Sequence, residues 1–173
     1  KTRNFILSFF FFIFCSVTFG QSNGWGDVNP YQYPGSMTVV TYISVDDVIQ
    51  TATNLELGAF CGNEMRGKAS LKKVGQGTNE RHLAYITIYG GNVGNDGNDV
   101  AYDETISFKL YDKTAGKVIF PAAIETIAFA NNKVVGTTAE PTTINFKSAA
   151  KIGNVKYPTL ADAFAAAQNG ETV

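Results

Sequence analysis

Short runs of alternating apolar and polar residues, separated by turn-forming residues, dominate the chain and restrict it to β structure. In 37–45, for example, Met37, Val39 and Ile43 fall on one side of an extended strand, because successive side chains of a strand point to opposite faces. Runs of this kind occur at 37–45, 55–60, 65–71, 82–89, 105–111, 117–120 and 142–146. Turn signals every 8–12 residues or so are typical of two packed sheets. The sequence therefore predicts an all-β fold, an antiparallel β-sandwich with a short C-terminal strand–helix segment.

Two turns and one strand lead to more specific expectations. The residues 62–64 are predicted as the tip of a hairpin between the second and third runs. Asn131 and Asn132 are predicted as the tip of another hairpin, between 124–129 and 133–135. The run 82–89 is largely apolar on both faces, which predicts a central strand covered on both sides.

The first twenty residues have the layout of a secretory signal peptide. Lys1 and Arg3 form a positive start, 5–14 is almost wholly apolar, and small residues precede Gln21. A membrane-spanning helix needs about 20 apolar residues, so this run is too short for one. We therefore expect residues 1–20 to be removed, the product to be secreted, extracellular or on the cell surface, and no membrane insertion after cleavage.

The charge balance makes nucleic acids and anionic membranes poor partners. The formal net charge of the chain is −1 at pH 7, and loss of Lys1 and Arg3 with the signal peptide makes it more negative. Both kinds of partner are bound through basic patches. The sequence therefore argues against nucleic acid and against an anionic membrane as a partner.

The cysteines allow no internal disulfide in the exported chain. Cys15 leaves with the signal peptide, and it lacks the small preceding residues that a lipoprotein signal would need. Cys61 then stands alone, directly after an apolar stretch. We expect a buried, unreactive thiol, with pairing between chains as the alternative.

Three aromatic residues, Trp25, Tyr31 and Tyr33, lie in a lead-in segment (21–34) rich in Gly, Asn and Pro. Flat rings outside regular strands can stack on the apolar faces of sugars, so these three are the candidate glycan-binding residues. The alternative is that the rings are buried on the domain. The lead-in segment would then be a strap that closes the sandwich, with Trp25 as its anchor, and its two prolines stiffen it in favour of this alternative.

The segment 90–104 is rich in Gly, Asn and Asp and contains the candidate metal site. Asp96, Asp99 and Asp103 could share a calcium ion, which takes six to eight oxygen ligands. The spacing matches neither an EF-hand nor the calcium-binding nonapeptide repeat, and a solvated turn explains the composition equally well. Calcium is thus the one cofactor that the sequence suggests, and the alternative is no cofactor.

No pattern in the sequence indicates catalysis. His82 is the only histidine, which argues against zinc, and no nucleophile elbow is present. Adjacent acids such as Asp46 and Asp47 point to opposite faces of a strand, so they do not form a glycosidase pair. Arg66 could bind a carboxylate, although pairing with Glu64 or another acid, which would pin the hairpin, is the preferred interpretation. We therefore expect that the chain is not an enzyme.

Three motifs resemble those of a repeat module found in bacterial secreted and surface proteins. They are YPGSMTV at 33–39, GAFCGNEMRG at 58–67 and ISFKLYD at 106–112. The resemblance covers about residues 25–146 and lies in the order and spacing of the motifs. It implies a β-sandwich placed ahead of other modules, with no defined activity.

The tail of the sequence resembles the lead-in to right-handed parallel β-helix domains. This resemblance lies in AKIGNVKYPTLADA at 150–163 and QNGETV at 168–173. It implies a strand and a short helix that cover the open first coil of a solenoid.

The residues of the tail themselves predict the helix. Thr159 is the expected N-cap, and Asp162, three residues later, is the expected reciprocal partner in a capping box. Leu160 and Phe164 fall on one apolar face of that helix.

These features predict three parts: a signal peptide (1–20), a β-sandwich module (21–147) and the truncated start of a second, β-helix-type module (148–173). The expected function is that of a non-catalytic extracellular module of a secreted or surface protein, in adhesion, in glycan binding or as a spacer. Its expected partners are glycans or other surface proteins. The alternative is the N-terminal accessory part of a polysaccharide-active β-helix enzyme whose catalytic region lies beyond Val173.

Overall fold

A computed structural model describes residues 25–93 and 100–168 of the chain. The predicted signal peptide lies outside these residues. The strands are β1 (Gly35–Val45), β2 (Val48–Ile49), β3 (Leu55–Cys61), β4 (Glu64–Ser70), β5 (Lys72–Val74), β6 (Arg81–Gly90), β7 (Asn92–Val93), β8 (Val100–Ala101), β9 (Thr105–Asp112), β10 (Lys117–Phe120), β11 (Ile127–Ala128), β12 (Val134–Val135), β13 (Thr142–Phe146), β14 (Ala150–Ile152) and β15 (Val155–Tyr157). Helix α1 spans Leu160–Ala166, and single 3₁₀ turns lie at Pro30–Gln32 and Gly77–Asn79.

Two sheets pack face to face and form the sandwich. Sheet A runs in the order β12–β1–β6–β5, with β13 and β2 also paired to β1. Sheet B runs in the order β10–β9–β3–β4, with β11 also paired to β9. Most neighbouring strands are antiparallel, but β1 is parallel to both β12 and β13. The predicted all-β sandwich is confirmed, and the two parallel pairings make sheet A a mixed sheet.

The core lies between the sheets and is built from alternate residues of their strands. Its fully or almost fully buried side chains include Met37, Val39, Ile43, Leu57, Ala59, Ile86, Ile88, Ile106, Phe108, Leu110, Ile144 and Phe146. Burial of each larger side chain of this kind contributes about 1.5–3 kcal/mol. The alternation in the sequence thus decides which face of each strand turns inward.

One corner of the sandwich is closed by a chain segment that passes from one sheet to the other. β4 belongs to sheet B and β5 to sheet A, and the buried Leu71 lies between them. The backbone of Gly67 in β4 lies against β6, because a Cβ atom at position 67 would be 2.2 Å from the carbonyl oxygen of Thr87. A residue without a side chain is required here, and it brings β4 directly beside β6.

The segment around Asn131 and Asn132 is not the predicted hairpin tip. β11, which precedes it, pairs with β9 in sheet B, whereas β12, which follows it, pairs with β1 in sheet A. Asn132 has a left-handed backbone with φ of 61°, a conformation that asparagine tolerates. The prediction is wrong because turn residues indicate that the chain changes direction, but not which sheet each arm joins.

A β-hairpin of β14 and β15 and helix α1 follow the sandwich. The predicted cap of α1 is confirmed: the backbone N–H of Asp162 donates to the hydroxyl of Thr159 at 3.1 Å, and that hydroxyl donates to the Asp162 carboxylate at 2.7 Å. Ala163 is buried, whereas Leu160 and Phe164, on the predicted apolar face, are exposed. In the described part of the chain, no helix has the length and hydrophobicity to cross a membrane.

Asp46, in the turn after β1, ties this C-terminal segment to the sandwich. Its carboxylate accepts hydrogen bonds from the backbone N–H and the hydroxyl of Ser148, at 2.9 and 2.8 Å. It also pairs with Lys156 Nζ at 2.9 Å. The hydrogen bond from the Ser148 N–H has the largest effect on the pKa of Asp46, and the hydrogen bond from Lys156 the next largest. Together they lower this pKa to about 2. The neighbouring Asp47 pairs with Lys147.

Candidate functional site

Trp25 lies half-buried on the outer face of sheet B. Its indole ring covers Gly58 of β3, where a Cβ atom would come 1.9 Å from the ring atom Cζ3. The ring centroid is 5.3 Å from that of Phe60, edge to face, and 5.2 Å from that of Tyr111. Its backbone carbonyl accepts a hydrogen bond from Lys68 at 2.9 Å. These contacts are those of an anchor for the lead-in segment and favour the strap over an open sugar-binding ring.

Tyr33, further along the lead-in segment, covers a buried ion pair. Arg66 of β4 and Glu104 have side chains 5% exposed and are joined at 2.6 Å; Glu104 also accepts a hydrogen bond from the Gly91 N–H at 2.7 Å. The Tyr33 ring lies 4.4 Å from the Arg66 guanidinium carbon. Its hydroxyl donates to Glu64 at 2.6 Å, and desolvation, followed by this hydrogen bond, raises the pKa of Tyr33 to about 12.

Arg66 therefore fixes the β3–β4 hairpin through its buried, ion-paired side chain, which agrees with the interpretation preferred from the sequence. Its Nε lies 3.3 Å from Glu64, close enough for charge attraction but without hydrogen-bond alignment. Since the guanidinium is buried under Tyr33 and bonded to Glu104, it is not open to an external carboxylate.

The three aromatic residues predicted to bind glycans do not share one surface. Trp25 packs on sheet B, whereas the ring of Tyr33 stacks on Tyr89 of sheet A, with centroids 6.4 Å apart. Tyr31 is 96% exposed. Among the described residues, none of these three rings contacts another of the three.

A groove beside β6 offers a different aromatic surface, at the corner where β4 meets that strand. This tyrosine groove encloses about 350 Å³ and is lined by Asp27, Val28, Gly67, Lys68, Tyr85, Thr87 and Tyr89. Tyr85, Thr87 and Tyr89 alternate along β6 and so lie on its outer face. Tyr85 is 36% exposed and Thr87 is also exposed. The hydroxyl of Tyr85 lies 3.0 Å from Thr138 Oγ1, a hydrogen bond that holds the ring in place.

The prediction that both faces of this strand are covered is wrong for the outer face. Its inner face follows the prediction, because Ile86 and Ile88 are fully buried. The signal for an open outer face was Thr87, a polar residue between Tyr85 and Tyr89. Tyrosine carries an apolar ring and a polar hydroxyl. Its presence therefore makes the sequence pattern of this strand look apolar on both faces, although the outer face is exposed to solvent.

The charged groups of the tyrosine groove neutralise each other. Asp27 and Lys68 form an ion pair of 2.8 Å on one wall. The hydrogen bond and the charge of Lys68 lower the pKa of Asp27 below its usual range. The groove therefore presents to a ligand two rings, a hydroxyl and one wall whose two opposite charges are paired and sum to zero.

The candidate calcium site falls largely outside the described residues. Asp96 and Asp99 lie in the segment 94–99, which the structure does not describe, and Asp103 is exposed. Within 25–93 and 100–168, no group of three or more potential metal ligands comes together. The calcium site stays a prediction.

Two other features of the described residues, a cysteine and a cavity, are weaker candidates for a ligand site than the tyrosine groove. Cys61 is a free, half-buried thiol that packs against the core. A cavity of about 620 Å³ lies between β10 and the C-terminal segment, lined by residues that include Lys117, Lys156 and Asp162. Lys156 is bonded to Asp46 and Asp162 to its helix cap. Among its described lining residues, this cavity has no two aromatic rings side by side on one strand face, as the tyrosine groove has, so it is the weaker candidate for a ligand with flat apolar faces.

Comparison with known protein families, with curated proteins and with solved structures finds no match for the chain.

Proposed function

We propose that this chain is a non-catalytic extracellular β-sandwich module of a secreted or surface protein, and that it binds glycans through the tyrosine groove. The observation that carries the proposal is the pair of tyrosines on the open outer face of β6, with Thr87 between them. Rings held on a rigid strand supply flat apolar area at little cost in conformational entropy.

The surroundings of the two rings support a sugar as the ligand. A pyranose presents an apolar face, which suits a tyrosine ring, and a rim of hydroxyls, which suits neighbouring donors and acceptors. Thr87 supplies a hydroxyl on the floor, and the Asp27–Lys68 pair supplies an acceptor and a donor on the wall. Such a site fits adhesion to a glycan-coated surface better than a role as a spacer alone.

The test is glycan binding by single variants. Tyr85→Ala or Tyr89→Ala should each weaken binding about tenfold, since an aromatic contact is worth about 0.5–1.5 kcal/mol beyond its buried area. Tyr31→Ala is the matched control, because Tyr31 is 96% exposed and lies outside the groove. Isothermal titration calorimetry and a printed glycan array measure both. Loss of binding in Tyr31→Ala with none in Tyr85→Ala would move the site to the lead-in segment.

A second candidate function is the accessory part of a polysaccharide-active β-helix enzyme. Strand β15 followed by the capped helix α1 has the order, a strand and then a short helix, that the resemblance of the tail implies, and β14 adds a second strand before it. The test is whether the secreted protein, purified from its source, releases reducing ends from polysaccharides. Binding without release would contradict this candidate and leave the first intact.

A further inference from the structure

A second depression borders the tyrosine groove. It encloses about 260 Å³ and is lined by Pro30, Tyr33, Pro34, Gly35, Ser36, Tyr89, Asn131 and Asn132. Tyr89 belongs to the lining of both depressions. The two therefore adjoin along the same side chain and form one track across the outer face of sheet A.

The boundary between the two depressions is a fixed aromatic pair. The rings of Tyr33 and Tyr89 are stacked, with centroids 6.4 Å apart and planes inclined by 20°. Tyr33 is held by its hydrogen bond to Glu64 and by the guanidinium of Arg66 beneath it. Because Tyr33 is held by these contacts and Tyr89 stands on strand β6 and stacks on Tyr33, the track has its shape before a ligand arrives, which lowers the cost of binding.

The far end of the track is polar and uncharged. The Asn131 side chain is occupied, since its Oδ1 accepts from the Ser36 N–H at 3.0 Å. The side chain of Asn132 is exposed and makes no hydrogen bond to the described residues. No residue that lines this depression is charged, and the charges of the tyrosine groove are paired with each other.

We propose that the track binds a linear, uncharged oligosaccharide that spans both depressions, an inference that rests on the glycan-binding function proposed above. Tyr85 and Tyr89 are four positions apart on β6, about 13 Å along the strand, so one sugar ring cannot cover both. Separate units of a chain stack on Tyr85 and on the Tyr33–Tyr89 pair. Asn132 then bonds a hydroxyl of a unit that only longer chains possess.

The test uses neutral linear oligosaccharides, from disaccharides to hexasaccharides, on an array with their sulfated and uronic-acid counterparts. Calorimetry follows with the length series of the best binder. The wild-type chain should bind the longer members at least tenfold more tightly than the disaccharide. Asn132→Gly keeps the positive φ of position 132 and should lower the affinity for the longer members alone. Tyr85→Ala should weaken the binding of all members.

Asn154→Gly is the matched control, because Asn154 is exposed in the turn between β14 and β15. Equal affinity for all chain lengths, an equal effect of Asn132→Gly on all of them, or preference for acidic glycans would overturn the extended neutral site while leaving glycan binding in place. Binding of no glycan at all would overturn the proposed function itself.

Discussion

Replacement of Gly58 by alanine should displace Trp25 from the outer face of sheet B. The added Cβ atom would lie 1.9 Å from the ring atom Cζ3 and 2.5 and 2.6 Å from two further ring atoms. Non-bonded carbon atoms rest about 3.5–4.0 Å apart, so the rigid indole must move by about 2 Å. This movement separates it from Phe60 and Tyr111, whose ring centroids are now 5.3 and 5.2 Å away.

Two effects oppose each other in Gly58→Ala. Alanine restricts the unfolded chain and so stabilises the fold by about 0.4–1 kcal/mol. Loss of two aromatic pairs costs about 0.5–1.5 kcal/mol for each pair, besides the apolar area returned to water. The losses outweigh the gain, and we expect the free energy of unfolding to fall by about 1–2 kcal/mol.

Trp25 is the only tryptophan of the chain, so its fluorescence reports on its own environment. Gly58→Ala should shift the emission maximum to the red and lower the free energy of unfolding in urea. Gly26→Ala is the control, because a Cβ atom there has no neighbour within 4 Å. In a Trp25→Ala background, Gly58→Ala should no longer destabilise. Emission and stability unchanged from the wild type in Gly58→Ala would refute the reasoning.

Glu104→Gln should lower the free energy of unfolding by about 3 kcal/mol, because it leaves the Arg66 guanidinium buried without its main partner. Adding Arg66→Met to Glu104→Gln should restore part of the lost free energy of unfolding, which chemical denaturation of the single and the double variant measures. If the two substitutions instead destabilised additively, the pairing of Arg66 with Glu104 would be contradicted. Asp46→Asn should lower the melting temperature at pH 6. Folding lowers the pKa of Asp46 to about 2. The stability that the Asp46 carboxylate adds to the wild-type protein over the variant is therefore complete above about pH 4 and is lost as the pH falls through 2. An advantage that persists at pH 2 in thermal melts would contradict this.

The sequence by itself determined where most strands lie and which of their side chains form the core. The alternation of Met37, Val39 and Ile43 was sufficient, because a strand repeats every two residues and only one register buries these side chains. The cap of α1 at Thr159 could be predicted from the sequence for the same kind of reason, since its partner Asp162 lies within one helical turn. Local patterns suffice where both partners are close in sequence.

The tertiary structure alone decided which outer faces are open and which strands are neighbours. Tyr85 and Tyr89 form the floor of a groove only because Gly67 of β4, some twenty positions earlier, lets that strand approach β6. The parallel pairing of β13 with β1 and the passage between sheets at Asn132 likewise depend on distant partners. A period of two residues shows that a strand has two faces, but what covers the second face is supplied by parts of the chain that the local pattern does not contain.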